Sequence, residues 1–246
     1  MRFSYSRLKM FEQCPLAWKR KYIDEEEGED NFFAQFGSCV HHVLERYAKH
    51  EISLFDLVPE YKKSFTKMVT ADPPNDDMLK NYYETGIEYF YDIDLDLDLY
   101  DILGVEMEIQ TDIGEYEFCG YIDLLIREKN TGGIVVLDHK SKALTFKKNG
   151  DLTKAGTAGL EEFKKQLYLY SKYVFEKYGE YPKELKWNLF RTGKILSIPF
   201  SIQEYEESIS WAEDIISKLE KEEKWEAKKD YYYCSYLCEY RGDCDE

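Results

Sequence analysis

The sequence CGYIDLLIREKNTGGIVVLDHKSK, residues 119–142, decides the fold of this chain. Two apolar, strand-forming runs flank the segment KNTGG at 129–133, and a glycine-rich turn of this length between two such runs predicts a hairpin. Side chains two apart on a strand share a face, so Asp138 and Lys140 project together, and Asp123 reaches the same place from the neighbouring strand. Charged groups at the edge of an apolar sheet are costly unless they are compensated. The hairpin therefore predicts a site at which a bound cation would balance the carboxylates.

The length and the charge of the chain limit its class. With 246 residues it can bury the core of one large domain, and we expect a single domain over residues 1–246 with a helical insertion at about 51–100. The 33 Lys and Arg residues against 49 Asp and Glu leave a net charge of −16, which argues against general adhesion to nucleic acid. A nucleic-acid enzyme stays open, because its basic residues need only be local.

The sequence carries no signal for a membrane or for secretion. No apolar run approaches the roughly 20 residues that a membrane span needs, and the start MRFSYSRLKMFEQC lacks the apolar segment of a signal peptide. We therefore expect a cytoplasmic, intracellular protein of cellular or phage origin, with no membrane partner. In that compartment the six cysteines are expected to be thiols or metal ligands and not disulfides.

Apolar periodicity and turn signals place the secondary structure along the chain. Helices are expected in the segments 3–22 (broken near Cys14 and Pro15), 36–50, 160–178 and 203–223, with further helical pieces in the insertion. Strands are expected in the segments 103–110, 115–127, 133–140, 185–190 and 195–200. The first three strands form a meander, and a helix separates them from the last two. This order predicts an α/β (α+β) fold with a small mixed central sheet flanked by helices.

A histidine on the predicted helix 36–50 is a candidate partner for the two aspartates. At about 100° per residue, His41 lies at the edge of the apolar stripe of this helix. Alone, a histidine in that position is also explained as a hydrogen-bonded packing residue. In the same way, Asp-x-Lys is common by chance, and a surface ion pair is the simple explanation of Asp138 and Lys140.

Taken as one set, His41, Asp123, Asp138 and Lys140 suit the hydrolysis of a phosphodiester. Carboxylate oxygens bind Mg²⁺ or Mn²⁺, and an imidazole shifts the preference toward Mn²⁺. Such a metal polarises the phosphoryl oxygen and lowers the pKa of the attacking water. Lys140 would supply a cation near the developing negative charge.

Five motifs extend this set along nearly the whole chain. They are, in order, Ser4-x-Ser6-Arg7-Leu8 with Phe11-x-x-Cys14-Pro15, Gly37-x-x-x-His41 with Leu44-Glu45, Gly120-x-x-Asp123, Asp138-His139-Lys140 and Gln166-x-x-x-Tyr170. Together they resemble the PD-(D/E)XK nuclease superfamily, and specifically its RecB-type branch. The resemblance implies a restriction-endonuclease-like core and a metal-dependent nuclease.

The same resemblance implies roles for the motif residues. The metal ligands are expected to be His41, Asp123, Asp138 and the backbone carbonyl of His139. Lys140 would be catalytic together with the two aspartates, and Gln166 and Tyr170 would support the site or contact DNA. Glu106 and Glu108, on the first strand, are further candidates, and each is also explained as an exposed strand residue.

Four of the six cysteines form a second candidate site, composed of Cys14, Cys234, Cys238 and Cys244. The C-terminal spacing C-x3-C-x5-C indicates a metal or cluster site, and thiolate chemistry alone leaves zinc and an Fe–S cluster open. The pattern is similar to that of the AddB-type and CRISPR-associated four-cysteine exonucleases, which implies a [4Fe–4S] cluster joining the two chain ends. The usual spacing there is C-x2-C-x5-C, one residue shorter. Cys39 and Cys119 have no partners in this arrangement and are expected to be buried thiols.

The expected activity is that of a Mg²⁺- or Mn²⁺-dependent deoxyribonuclease, foremost an exonuclease, that cuts DNA with free ends and prefers single strands. The alternative is a non-catalytic DNA-binding or assembly module on a nuclease scaffold. Candidate DNA contacts are Lys19, Arg20, Lys21, Lys142, Lys147, Lys148, Lys164 and Lys165. The sequence contains no Gly-x-x-x-x-Gly-Lys-Ser/Thr motif, so DNA unwinding would require a helicase partner. Repair, recombination and CRISPR-linked partners stay open.

Overall fold

The computed structural model describes residues 1–241 and residue 244. Within them the α-helices are Tyr5–Gln13 (α1), Pro15–Tyr22 (α2), Phe32–Ala48 (α3), Leu57–Met68 (α4), Asp76–Tyr91 (α5), Lys154–Tyr178 (α6) and Ile202–Glu220 (α7). The strands are Tyr100–Ile113 (β1), Tyr116–Glu128 (β2), Ile134–Lys140 (β3), Glu184–Leu189 (β4) and Lys194–Pro199 (β5). The order of elements is the predicted one.

The five strands form one mixed sheet in the order β1-β2-β3-β4-β5. Neighbouring strands run antiparallel except for β3 and β4, which pair in parallel with Asp138 opposite Trp187. Parallel neighbours need a long crossover connection, and α6 lies in that connection. The predicted mixed central sheet flanked by helices is therefore confirmed.

The sheet separates two apolar cores. Strand β3 shows this most clearly, because its residues alternate between the two faces. Ile134 and Val136 are buried among residues of α1, α6 and α7, whereas Val135 and Leu137 are buried among residues of α3, α4 and α5. A central strand covered on both faces has to be apolar throughout, which explains the unbroken run IVVL in front of Asp138.

Two helices begin earlier than their apolar periodicity predicts. Asn31 caps α3, because its side chain accepts a hydrogen bond from the backbone N–H of Ala34 at 2.9 Å. Thr153 caps α6 in the same way, through the N–H of Gly156 at 3.0 Å. The first turns of α6 have no apolar stripe, so the hydrophobic pattern detects this helix only from about residue 160.

The segment 51–100 is helical as expected and packs on α3. It contains α4 and α5, separated by the break at 69–75 that Pro73 and Pro74 predict. The alternating Asp-Leu stretch before Tyr100 forms the short 3₁₀ turn Leu97–Leu99 and then leads into β1. None of the helices in the described part of the chain has the length and apolar character to cross a membrane.

Candidate active site

The end of the β2–β3 hairpin places the three signature side chains together. Ladder pairing between the two strands ends at Leu124 and Leu137. Just beyond that point, a carboxylate oxygen (Oδ2) of Asp123 accepts the backbone N–H of His139 at 2.7 Å. Lys140 Nζ lies 2.8 Å from Asp138 Oδ2, as expected for residues two apart on one strand. The hairpin therefore forms the floor of the site.

Helix α3 brings His41 onto this floor. Its Nε2 lies 2.9 Å from the carbonyl oxygen of His139, and its Nδ1 lies 3.6 Å from Asp123 Oδ2 and 3.7 Å from Glu106 Oε1. Burial alone would lower the pKa of His41, but the contact with Glu106 and the charges of Asp123 and Asp138 raise it to about 9. The imidazole is therefore held among negative charges.

The two aspartates and Glu106 bring three carboxylates to a place where His41 and Lys140 supply two cationic side chains. The aspartate side chains are only 10% (Asp123) and 4% (Asp138) exposed. Burial and the charge of Asp138 raise the pKa of Asp123 to about 7, against the opposite effect of His41. The Oδ2 atom of Asp138 is buried and accepts no hydrogen bond from any residue that the structure describes, although the Lys140 ammonium lies beside it as an ion pair. A divalent cation fits this donor set, because it would supply the missing positive charge.

Glu106 joins the site, whereas Glu108 does not. Strand β1 is irregular where it pairs with β2 near Gly104, and Glu106 takes a left-handed backbone conformation with φ of 45°. One ligand atom each from His41, Glu106 and Asp123 lie within 4.8 Å of one another, the only such group of three among the described residues. Glu108 is exposed farther along β1.

A chain of hydrogen bonds from α6 holds Lys140. Its Nζ donates to Gln166 Oε1 at 2.7 Å, and Gln166 Nε2 donates to the hydroxyl of Tyr170 at 3.2 Å. Gly120 makes this possible, because a Cβ there would lie 2.5 Å from Tyr170 Cε1. The glycine of one motif and the tyrosine of another are thus one packing unit.

Two residues that the sequence analysis missed hold the side chain of His139. Asn188 Nδ2 lies 2.9 Å from His139 Nδ1 and 2.6 Å from the hydroxyl of Tyr89. Burial, with the nearby charges of His41 and Lys140, lowers the pKa of His139 well below its usual value, so its ring is neutral. Asn188 pairs with His139 only through the parallel β3–β4 register, which no local sequence pattern encodes.

The four cysteines lie together at the junction of the two chain ends. Cys14, between α1 and α2, and Cys238 are buried, Cys234 is half-buried and Cys244 is exposed. All four line one cavity of about 220 Å³. Burial raises the pKa of the Cys238 thiol, and the charges of the other three thiols act in the same direction.

Polar contacts outside the cysteines tie the same ends together. Lys21 Nζ lies 2.6 Å from the carboxylate of Glu239, and the backbone N–H of Glu29 donates to the carbonyl of Glu239 at 2.8 Å. The hydroxyl of Tyr240 donates to the carbonyl of Glu26 at 3.0 Å.

The two remaining cysteines differ from each other. Cys39 is fully buried, as expected. The expectation for Cys119 was wrong, because its thiol is only half-buried. It lies on β2 beneath the N-terminal segment, where its Sγ donates to the carbonyl of Phe3 at 3.4 Å.

Most of the predicted DNA-contact cations lie in ion pairs. The pairs are Lys19 with Asp24, Arg20 with Glu26, Lys21 with Glu239, Lys142 with Glu162, and Lys164 with Glu161 and Glu204. The ammonium of Lys165 instead lies 4.4 Å from the ring centroid of Trp211. A phosphate would have to replace a carboxylate at most of these positions, so their contacts with DNA stay predictions.

Comparisons with known proteins agree with this architecture. A family model described as the PD-(D/E)XK nuclease superfamily matches residues 2–245. A crystal structure from Eubacterium rectale, described as a "Putative exonuclease", superposes with a TM-score of 0.53, at 15% identity, over 89% of this chain and 79% of that chain. At that identity the likeness concerns the fold. A comparison with curated proteins found no match.

Proposed function

The chain belongs to the PD-(D/E)XK nuclease superfamily, and we propose that it is a Mg²⁺- or Mn²⁺-dependent deoxyribonuclease. We propose further that it acts mainly as an exonuclease, of the RecB type, on DNA with free ends, with single strands preferred. The observation that carries the proposal is the convergence of Asp123, Asp138 and Lys140 with His41 at the end of the β2–β3 hairpin. There the buried Oδ2 of Asp138 has no hydrogen bond from the described residues.

The metal ligands in this proposal are His41, Asp123, Asp138 and the backbone carbonyl of His139. Glu106 is an additional ligand, supported by its place within 4.8 Å of His41 and Asp123. This set is mainly oxygen, which suits Mg²⁺ or Mn²⁺, and the imidazole favours Mn²⁺. When bound, the ion would polarise the phosphoryl oxygen and lower the pKa of the attacking water.

The protein's own groups position and stabilise charge in this reaction. Lys140 is held between Asp138 and Gln166, and its ammonium offers positive charge where the phosphate becomes more negative. Gln166 is fixed in turn by Tyr170. The neutral ring of His139 anchors the strand end on Asn188, which keeps the His139 carbonyl next to His41.

Cleavage assays with matched variants test the catalytic proposal. With Mn²⁺ or Mg²⁺ and end-labelled single-stranded DNA, Asp138→Asn and Lys140→Ala should each lose activity by about 10²- to 10³-fold. Lys129→Ala removes a positive charge from the 129–133 turn, at the other end of the hairpin, where Lys129 donates to the carbonyl of Asp98, and should retain full activity. Cleavage by both site variants at the wild-type rate would refute the assignment. Circular single-stranded DNA should resist cleavage, and its cleavage at the rate of linear DNA would refute the exonuclease part alone.

We also propose that Cys14, Cys234, Cys238 and Cys244 hold a structural [4Fe–4S] cluster, with zinc as the alternative. The four cysteines line one cavity, which supports a site that they share, and the resemblance to the four-cysteine exonucleases favours the cluster over zinc. Anaerobically purified protein should be coloured, with about four irons per chain. A colourless protein that contains zinc would refute the cluster.

The competing hypothesis is a non-catalytic DNA-binding or assembly module that works with a helicase, recombination or CRISPR-associated partner. A module without chemistry has no need for Asp123, Asp138 and Lys140 to meet at the end of one hairpin, which favours the enzyme. DNA binding without cleavage across several divalent metals would favour the module.

A further inference from the structure

A groove of about 730 Å³ lies beside the candidate active site. It is lined by Ser141 and Lys142, which directly follow Lys140 in the chain. It is lined as well by Tyr233 and Leu237 of the cysteine-bearing C-terminal segment. A DNA strand bound at Lys140 would therefore have this groove next to it.

Arg191 has an unusual environment in this groove. It follows β4, and its guanidinium lies on the ring of Tyr82, 3.9 Å from the centroid, with Nη1 donating to the Tyr82 hydroxyl at 2.6 Å. Its Nε is buried and has no hydrogen-bond partner in the part of the chain that the structure describes. Among the described residues no carboxylate forms an ion pair with Arg191, whereas the other two cations of the groove, Lys9 and Lys142, both pair with Glu162.

The position of Arg191 is fixed before any ligand arrives. The ring of Tyr82 is itself held by Phe36 at a centroid distance of 4.8 Å and by Phe33 at 5.4 Å. A guanidinium whose orientation is set by stacking loses little freedom when it binds, and its planar fork matches the oxygens of a phosphate. A partly buried cation without an anion is costly, and a phosphodiester would supply the missing charge.

Aromatic rings in the same groove suit unstacked bases. Tyr232 is 58% exposed and faces the groove near Tyr82, and Phe33 lines the same wall. Exposed rings of this kind stack on the bases of single strands, whereas the bases of a duplex are already stacked on each other.

We propose that the groove binds a single-stranded polynucleotide next to the cleaved bond, and that Arg191 holds one of its backbone phosphates. The proposal rests on the proposed nuclease function, because it assigns the groove to the substrate of that site. It adds a phosphate-binding residue and a stacking residue, Tyr232, that lie outside the five sequence motifs.

Binding without cleavage tests the proposal. The probe is a short fluorescein-labelled single-stranded oligodeoxynucleotide, titrated by anisotropy in EDTA. Arg191→Gln should weaken binding about tenfold and lower the slope of log K against log salt by about 0.7. The control Arg127→Gln removes an equal charge near the 129–133 turn, where Arg127 pairs with Glu180, and should leave both values unchanged. Equal binding by the two variants would overturn the proposal.

Oligonucleotides with a single neutral methylphosphonate linkage, placed at each position in turn, identify the contacted phosphate. One position should weaken wild-type binding, and that position should have no effect in Arg191→Gln. If this variant does not fold, Arg191→Lys takes its place. The methylphosphonate at that position should then weaken binding less in Arg191→Lys than in the wild type. A profile of affinity loss along the oligonucleotide that is the same in the variant and in the wild type would refute the contact. Tyr232→Ala should weaken single-strand binding, and unchanged binding would refute stacking.

The outcome separates the two proposals. A wild-type protein that cleaves DNA while Arg191→Gln binds as well as Arg127→Gln would contradict only the phosphate contact. Arg191-dependent binding by a wild-type protein that cleaves nothing with any divalent metal would contradict only the nuclease proposal.

Discussion

The contact between Gly120 and Tyr170 makes a quantitative prediction about how two motifs depend on each other. In Gly120→Ala the new Cβ would lie 2.5 Å from Cε1 and 2.8 Å from both Cζ and the hydroxyl oxygen of Tyr170. These distances are far below van der Waals contact, and the ring cannot retreat easily because it is 5% exposed and held at its hydroxyl. Overpacking of this kind costs about 1–3 kcal/mol. For a protein of this size, each kcal/mol lowers Tm by about 2–4 °C.

A double-mutant cycle measured by urea unfolding separates this clash from any other effect of the added methyl group. Tyr170→Leu removes the ring atoms that the Cβ would meet, so Gly120→Ala in that background should be neutral or slightly stabilising, because alanine is the better strand residue. The coupling energy should then reach about 1–3 kcal/mol. Gly37→Ala is the matched control: its Cβ would lie 3.4 Å from Ser141 Oγ, an acceptable contact. It should stabilise α3 by about 0.5–1 kcal/mol. Equal costs of Gly120→Ala with and without the Tyr170 ring would refute the reasoning.

Three further predictions concern the metal site, its support and the cysteines. The pKa values of Asp123 and His41 in the folded protein are raised to about 7 and about 9. Each group therefore stabilises the metal-free protein fully when the pH is below the pKa that the group has in the unfolded chain. This stabilisation is lost as the pH rises through the raised pKa of the folded protein. Melting in EDTA should therefore show Tm falling from about pH 5 to about pH 9, with a stabilisation by Mn²⁺ that grows over the same range; a Tm in EDTA that rises across this range would contradict it. Asn188→Ala leaves the hydroxyl of Tyr89 and the ring of His139 without their hydrogen-bond partner. It should lower the free energy of unfolding in urea by about 1–3 kcal/mol and the Mn²⁺ affinity measured by calorimetry about tenfold. An unchanged stability and an unchanged Mn²⁺ affinity would refute the supporting role of Asn188. Cys238→Ser should abolish the binding of iron or zinc and make the chain ends sensitive to limited proteolysis, whereas Cys119→Ser should retain the bound iron or zinc. Loss of that metal in Cys119→Ser and its retention in Cys238→Ser would contradict the proposed cysteine site.

The sequence predicts those parts of the fold and site that depend on local rules. The β2–β3 hairpin follows from two apolar runs around a glycine-rich turn, and Asp138 meets Lys140 because residues two apart on a strand share a face. The break at Pro15 is local in the same sense. The choice between Glu106 and Glu108 is not local, since it depends on an irregular β1 in which Glu106 has a positive φ. Simple alternation along the strand treats the two glutamates alike.

The residues that sequence reasoning missed share a cause, which is their contact with helix α5. Asn188 and Arg191 lie at the end of β4, and each is held by a tyrosine of α5, Tyr89 for Asn188 and Tyr82 for Arg191. These tyrosines are seven residues apart, which places them on one face of the helix two turns from each other. The segment 51–100 therefore does more than cover the sheet: one face of α5 sets the position of the His139 ring and that of the groove guanidinium. A contact between α5 and a strand about 100 residues later changes the hydrophobic periodicity of neither segment, so only the assembled fold reveals it.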